Sequence, residues 1–261
     1  MWAHERHSRI VALLDERQRL TTEAIAAELA VSKETIRRDL IELELSGKLS
    51  RVHGGAIPQA VPVEPSYGER EELHQPEKRA IARAAATLIR PGMSCFIDAG
   101  STTLALAQAL LARHDLQIIT NSVGIASALA GNSGLDVVLL GGRLAQEMPA
   151  TYGDQTVAEI GRYQLDLAIV SPVSIHPRAG AMDYLWHEAA VARAMLEHAR
   201  RRIVLADRSK LGQTSRMQIC ASSAVDVLVT DAPSSDPIVR QLQSDGVKNV
   251  LHAELLNSES R

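Results

Sequence analysis

One run gathers an acid, a glycine and three hydroxyls: Asp98-Ala99-Gly100-Ser101-Thr102-Thr103. A short apolar stretch, Met93 to Asp98, leads into it, and a helical pattern from Leu104 to Leu111 follows. A strand that turns through Gly-Ser-Thr-Thr into a helix offers unpaired backbone N–H groups at the positive end of the helix dipole. Ser101, Thr102 and Thr103 add hydroxyl donors. That chemistry holds a phosphate. The same run also serves as an ordinary helix cap with spare hydroxyls, and its residues alone leave both readings open. Further along, Asp207-Arg208-Ser209-Lys210 follows a second apolar stretch, Arg202 to Ala206. Lys210 is a compact point charge suited to phosphate, or a surface lysine after a strand.

A second set of residues suits a different anion. Val31-Ser32-Lys33-Glu34-Thr35-Ile36-Arg37-Arg38-Asp39-Leu40 places Ile36 and Leu40, with Leu43, on one helical face, and Lys33, Thr35, Arg37 and Arg38 on the opposite one. Successive helical residues point about 100° apart, so at most one of Arg37 and Arg38 faces base edges squarely. The other grips phosphate, which positions without specifying. Ser32 is placed to cap this helix, with Glu34 in its first turn and Gly47 as its stop. The stretch Lys48-Leu49-Ser50-Arg51-Val52-His53-Gly54-Gly55 alternates polar and apolar residues and ends in a glycine pair, as a short basic hairpin does. Upstream, Ile10, Leu13 and Leu14 mark a helix from His7 to about Arg17, and Thr21 or Thr22 opens another, with Ile25 and Leu29 as its buried stripe. Helix, helix, tight Ala30-Val31 turn, polar-faced helix and basic hairpin give the layout of a winged helix-turn-helix, sized for the major groove of duplex DNA. A solvated three-helix bundle used for dimerisation shares much of this pattern.

The chain bounds these readings. It has 261 residues, 46% hydrophobic and 23% charged, which fits a globular protein of more than one domain. No apolar stretch approaches the length of a membrane helix, and the N-terminus opens polar with no signal-peptide core. The expected location is the cytoplasm, with no membrane partner. Aromatic residues make up 3%, too few for stacking platforms on single-stranded nucleic acid. Net charge is −3, so any DNA site is a local patch. Residues 1–57 hold nine Lys or Arg and nine Asp or Glu, with the cations concentrated on the polar-faced helix and the hairpin. Cys95 and Cys220 each sit in an apolar stretch and read as reduced buried thiols. No group of Cys, His or carboxylates has metal-ligand spacing, and nothing implies a bound cofactor.

Three prolines between Pro58 and Ser66 mark a break. The expected domains are residues 1–57, a linker 58–74, and residues 75–256. In the last of these, apolar runs alternate with helical patterns: Leu116 to Thr120, Val123 to Leu129, Asp136 to Leu140, Leu165 to Val170, Tyr184 to Arg200, Arg202 to Ala206 and Asp226 to Thr230. Such alternation predicts an α/β domain with a parallel sheet, whose ligands bind off the carboxyl ends of the strands. The polar turns Asp98 to Thr103, Thr120-Asn121-Ser122, Gly141-Gly142 and Asp207 to Lys210 all fall at that edge.

Two strings, Val31 to Leu40 and Gly47 to Ala56, resemble the DNA-binding signature of the DeoR family of bacterial transcriptional regulators. The later turns resemble the successive signatures of that family's sensor domain, so the likeness runs from about Arg6 to Leu251. It implies a winged helix-turn-helix at the front, with Ser32, Lys33, Thr35, Arg37, Arg38, Arg51 and His53 toward DNA. It implies behind it a sensor similar in fold to ribose-5-phosphate isomerase. By the resemblance, Ser101 to Thr103 hold an effector phosphate, with Gly100 in the same effector site, and Lys210 supplies a cation. Asp98, Asn121 and Glu188 line a polyol, with Gly141, Gly142 and Asp207 nearby. The pair His187-Glu188 resembles that of glycerol-3-phosphate-responsive members. Ser171-Pro172-Val173-Ser174-Ile175-His176-Pro177 departs from the glycine-rich turn of many members. The expected function is a repressor of a sugar or polyol catabolic operon, released by a phosphorylated effector and acting on an operator as a dimer or tetramer. The alternatives are an activator and a sugar-phosphate isomerase with Asp98, Asp207 or Glu188 as base.

Overall fold

The computed structural model describes residues 3–17, 19–45, 48–52, 54–58 and 65–255. The expected helix stop at Gly47, the hairpin residue His53 and most of the proline-rich stretch lie outside them. The chain forms two compact units, residues 1–63 and 64–261.

In the first unit, α1 (Ala3–Arg17), α2 (Thr22–Glu28) and α3 (Lys33–Leu45) surround a core of Ile10, Leu14, Ile25, Ile36, Leu40 and Leu43. Between α1 and α2 lies β1 (Leu20–Thr21). After α3, β2 (Leu49–Val52) and β3 (Gly55–Pro58) pair antiparallel, and β1 adds to the far side of β3. Thr21 caps α2 by accepting from the Ala24 N–H at 3.2 Å, and Ser32 accepts from the Thr35 N–H at 3.1 Å at the start of α3. Gly55 leaves no room for a side chain: a Cβ there would lie 2.1 Å from the Leu20 carbonyl oxygen.

The second unit opens with α4 (Tyr67–Glu72) and α5 (Gln75–Ala86). The stretch 58–74, expected to be a linker, therefore contains a helix. Ser66 and Glu69 close a capping box on α4. There follow β4 (Ser94–Ile97), α6 (Ser101–Ala109), β5 (Leu116–Thr120), α7 (Val123–Leu129) and β6 (Leu135–Leu139). A small hairpin, β7 (Arg143–Leu144) with β8 (Thr151–Tyr152), leads to α8 (Asp154–Ile160) and β9 (Leu165–Val170). Next come β10 (Ser174–His176), β11 (Gly180–Asp183), α9 (Trp186–Glu197) and β12 (Ala199–Leu205). The unit closes with β13 (Met217–Cys220), β14 (Val227–Thr230), α10 (Pro237–Ser244) and β15 (Val250–His252).

Seven strands form one parallel sheet in the order β15-β14-β12-β9-β4-β5-β6. Its central strands carry continuous buried apolar stretches, residues 95–97 in β4, 167–170 in β9 and 203–205 in β12, because both faces are covered. Alternate residues of β4 serve the two faces: Cys95 and Ile97 pack with α5, α6 and α7, and Phe96 packs with α8, α9 and α10. A second, antiparallel sheet of β10, β11 and β13 was not legible in the sequence, nor were the β7–β8 hairpin and α8. Among the described residues no helix is long and apolar enough to cross a membrane.

Candidate effector pocket and nucleic-acid interface

From β4 the chain runs outward through β5 to β6, then returns to the other side of β4 as β9 and continues outward through β12 and β14 to β15. The order reverses between β4 and β9, and the loops leaving such neighbours diverge and open a crevice at their carboxyl ends. Asp98 follows β4, Asn121 follows β5, Ser171 follows β9 and Asp207 follows β12. Backbone and side-chain bonds fix the first two. The Asp98 N–H donates to the Ile169 carbonyl at 3.0 Å, and the Ala99 N–H is shared between Asp98 Oδ1 at 2.8 Å and Asn121 Oδ1 at 3.0 Å. Asn121 Nδ2 donates to the Thr151 carbonyl at 3.1 Å.

A pocket opens there, lined by Asp98, Asn121 and Glu188 and also by Ser171, Arg70, Asp183, Tyr152 and His187. Burial pushes the Asp98 carboxyl up to about 8, against the pull of its bond from Ala99, and the nearby charge of Glu188 adds to the rise. The His187 ring lies on Tyr152, centroids 4.3 Å apart, and meets the exposed Trp186 edge-on at 5.8 Å. Its Nε2 is buried and has no hydrogen-bond partner among the described residues. Burial lowers its pKa, and Glu147 opposes that.

Beside the pocket stands the turn expected to hold phosphate. The helix begins three residues earlier than its apolar pattern suggested, at Ser101, with Gly100 as its cap residue. A Cβ on Gly100 would crowd Thr103 Oγ1 at 3.1 Å, and Ser171 of the β9 loop lies within ordinary contact of the same point, at 3.6 Å. The three hydroxyls have different fates. Thr103 donates to the Gly100 carbonyl at 2.9 Å, and Thr102 Oγ1 is buried without a partner among the described residues. Ser101 faces a separate hollow that it shares with Lys78 and Arg79. Lys210 Nζ donates to the Pro172 carbonyl at 2.9 Å and to Ser171 Oγ at 3.3 Å. It therefore sits against the loop that abuts Gly100. Asp207, expected at the effector, is almost wholly buried and accepts from the Ser209 N–H at 3.0 Å, capping the one-turn helix Arg208–Lys210. It positions Lys210. Gly141 and Gly142, also expected at the effector, do not line the pocket and instead hold the turn after β6. Gly141 donates to Glu159 Oε2 at 2.9 Å, and a Cβ on Gly142, at φ +148°, would lie 2.1 Å from Thr156 Oγ1.

Two further cations join this edge. Lys78, nearly buried on α5, donates to the Arg70 carbonyl; burial and then the charge of Lys210 push its pKa down to about 8, against Asp207. Arg70 itself lines the pocket.

In the first unit the polar face of α3 is open. Lys33, Arg37 and Arg38 are exposed, and among the described residues each pairs with an exposed acid: Glu23 for Lys33 at 2.9 Å, and Glu34 for Arg37 at 3.6 Å and Arg38 at 3.8 Å. Ser32 Oγ and Thr35 Oγ1 bond each other at 2.8 Å. On β2, Arg51 lies 3.6 Å from Glu44. Exposed pairs of this kind are worth at most about 1 kcal/mol, so a phosphate can replace the carboxylate cheaply. Asp39, on the buried side of α3, accepts from Arg6 at 2.6 and 2.9 Å and lies 3.0 Å from His7 Nε2. That bond set ties α3 to α1.

Residues 6–59 match the model of a DeoR-like helix-turn-helix domain, and residues 73–232 match that of a DeoR C-terminal sensor domain. The HTH-type transcriptional repressor GlcR of Bacillus subtilis is 35% identical, over 95% of this chain and 96% of its own. The glycerol-3-phosphate regulon repressors of Haemophilus influenzae and Escherichia coli are 36% and 32% identical, over 94% and 91% of this chain and 96% and 94% of theirs. This chain belongs to the DeoR family. Among solved structures, ribose 5-phosphate isomerase A from Neisseria gonorrhoeae is 18% identical, covers 56% of this chain and 55% of that one, and gives a TM-score of 0.39.

The α3 face lies within the DeoR helix-turn-helix span and the pocket mostly within the sensor span. Arg70 lies outside both spans. Arg70, Lys78 and Asp183 were not singled out from the sequence. The signal for Arg70 was present, because Ser66-x-x-Glu69 is the signature of a helix start. Lys78 and Asp183 carry no such local mark. They become visible only when α5 and β11 are placed against the sheet.

Proposed function

We propose that this DeoR-family protein is a repressor of a sugar or polyol catabolic operon, released when its sensor domain binds a phosphorylated sugar or polyol such as glycerol 3-phosphate. The observation that carries the reading is the pocket at the β4–β9 reversal. Asp98, Asn121 and Glu188 offer hydrogen-bonding groups to hydroxyls, while Arg70 lines the same pocket and Lys210 stands against its Ser171. Carboxylate and amide oxygens accept from a polyol, and cations beside them suit its phosphate. On the DNA side, Ser32, Lys33, Thr35, Arg37, Arg38, Arg51 and His53 are the proposed contacts. One small domain seldom supplies enough affinity, so a cytoplasmic homo-oligomer is expected to place two copies on two half-sites. The effector releases DNA by binding one arrangement of copies more tightly than the other. The chain is read as a sensor and not a catalyst.

A thermal-shift panel of phosphorylated sugars and polyols tests this. A true effector at 100 times its Kd adds about 2.7 kcal/mol of stability, and the same compound should release the protein from its operator in a gel shift. Absence of any stabilising compound, or turnover of pentose phosphates, would overturn the reading. Lys210→Ala should blunt release and leave operator binding intact.

A further inference from the structure

We propose that His187 forms a hydrogen bond to a hydroxyl of the bound effector, and so makes the pocket select hydroxylated ligands over the bare anion. This rests on the effector reading given above. His187 lines the same pocket as Asp98, Asn121 and Glu188. Its ring is held from two sides, by Tyr152 at 4.3 Å and by Trp186 at 5.8 Å, so its direction is fixed before any ligand arrives. Its Nε2 is buried, yet no protein group among the described residues meets it. A buried ring nitrogen without a partner is destabilising, and in a pocket wall the group positioned to meet it is one that the ligand brings.

The chemistry of the surroundings narrows that group. Burial favours the neutral ring, which can donate or accept at Nε2 according to its tautomer. The carboxyls of Asp183 and Glu188, which line the same pocket, disfavour a second anionic group on the ligand, while Arg70 and Lys210 supply cations for its phosphate. A hydroxyl meets both conditions. It pairs with a neutral imidazole and brings no charge toward the acids. A site built this way penalises ligands that lack the hydroxyl, because the ring nitrogen is then left buried and unpaired.

The experiment uses the full chain and isothermal titration with inorganic phosphate, glycerol 3-phosphate, ribose 5-phosphate and fructose 6-phosphate. The wild type should bind at least one of the three organic phosphates more tightly than inorganic phosphate. His187→Phe keeps an aromatic ring on Tyr152 but removes the nitrogen. It should weaken the preferred organic phosphate roughly 10- to 100-fold and leave inorganic phosphate within about twofold. His187→Gln should restore part of the loss. Melting of each variant without ligand confirms that it folds. Equal losses for the organic and inorganic phosphates in His187→Phe would make the residue merely structural and overturn the proposal, as would undiminished binding of the organic phosphate. A wild type that binds none of the organic phosphates would overturn the effector reading itself, a result distinct from either.

Discussion

A carboxyl buried at the end of a strand ties stability to pH. Asp98 is pushed up to about 8 in the folded chain, above the value of about 3.9 it has when unfolded. Between those values the folded state holds a proton that the unfolded state has released, so stability falls as pH rises. Asp98→Asn removes that dependence. Its stability relative to the wild type should climb from about pH 4 to about pH 8, by no more than about 1.4 kcal/mol per pH unit, and then level off. Urea melts across that range measure it, and parallel curves would contradict the assignment. At the other site, Arg37→Ala and Arg38→Ala should separate two roles. The arginine on base edges should cost about 1–3 kcal/mol and relax sequence preference, and the one on phosphate should weaken all sequences alike and lower the salt slope by about 1. Fluorescence anisotropy on operator and scrambled duplexes distinguishes them. Unchanged binding in both would remove α3 as the reader. These residues were legible because their types stand out in a local pattern. The unequal fates of Ser101, Thr102 and Thr103 were not, since which hydroxyl turns inward depends on how the β9 loop packs against Gly100.

At the scale of elements, a helix that reads DNA must not rock on its own domain. Asp39 fastens α3 to Arg6 and His7 of α1. Burial pushes its carboxyl up, but the bonds from Arg6 and His7 outweigh that and hold it below the usual range. The stability it contributes is present above its unfolded pKa and is lost as pH falls through the folded value, opposite in sign to Asp98. Asp39→Ala should cost about 1.5–3 kcal/mol, read from urea melts, and should weaken operator binding although Asp39 is buried away from the exposed face. Operator affinity untouched by that change would show α3 to be held by its apolar contacts alone. The elements most legible in the sequence, such as β5, α7 and β9, are long apolar or amphipathic runs bounded by polar turns. β7, β8, β10, β11 and β13 have two to four residues each. All four residues of β11 are buried, including Asp183, so no alternation marks it. α4 has six residues and follows directly on the prolines, so its Ser66-x-x-Glu69 start is its one local mark.

For the molecule as a whole, the reversal of strand order has a further consequence. Asp98 and Asn121 come from the β4–β5 half of the sheet, and Ser171 and Lys210 from the β9–β12 half, yet they surround one edge. A small molecule lodged there rivets together stretches far apart along the chain. Its arrival should slow amide hydrogen exchange at Ala99 to Thr103 and at Arg208 to Leu211 together and at the same ligand concentration, with β15 at the sheet margin unaffected. Protection confined to one stretch would mean the rivet spans only half of its seam.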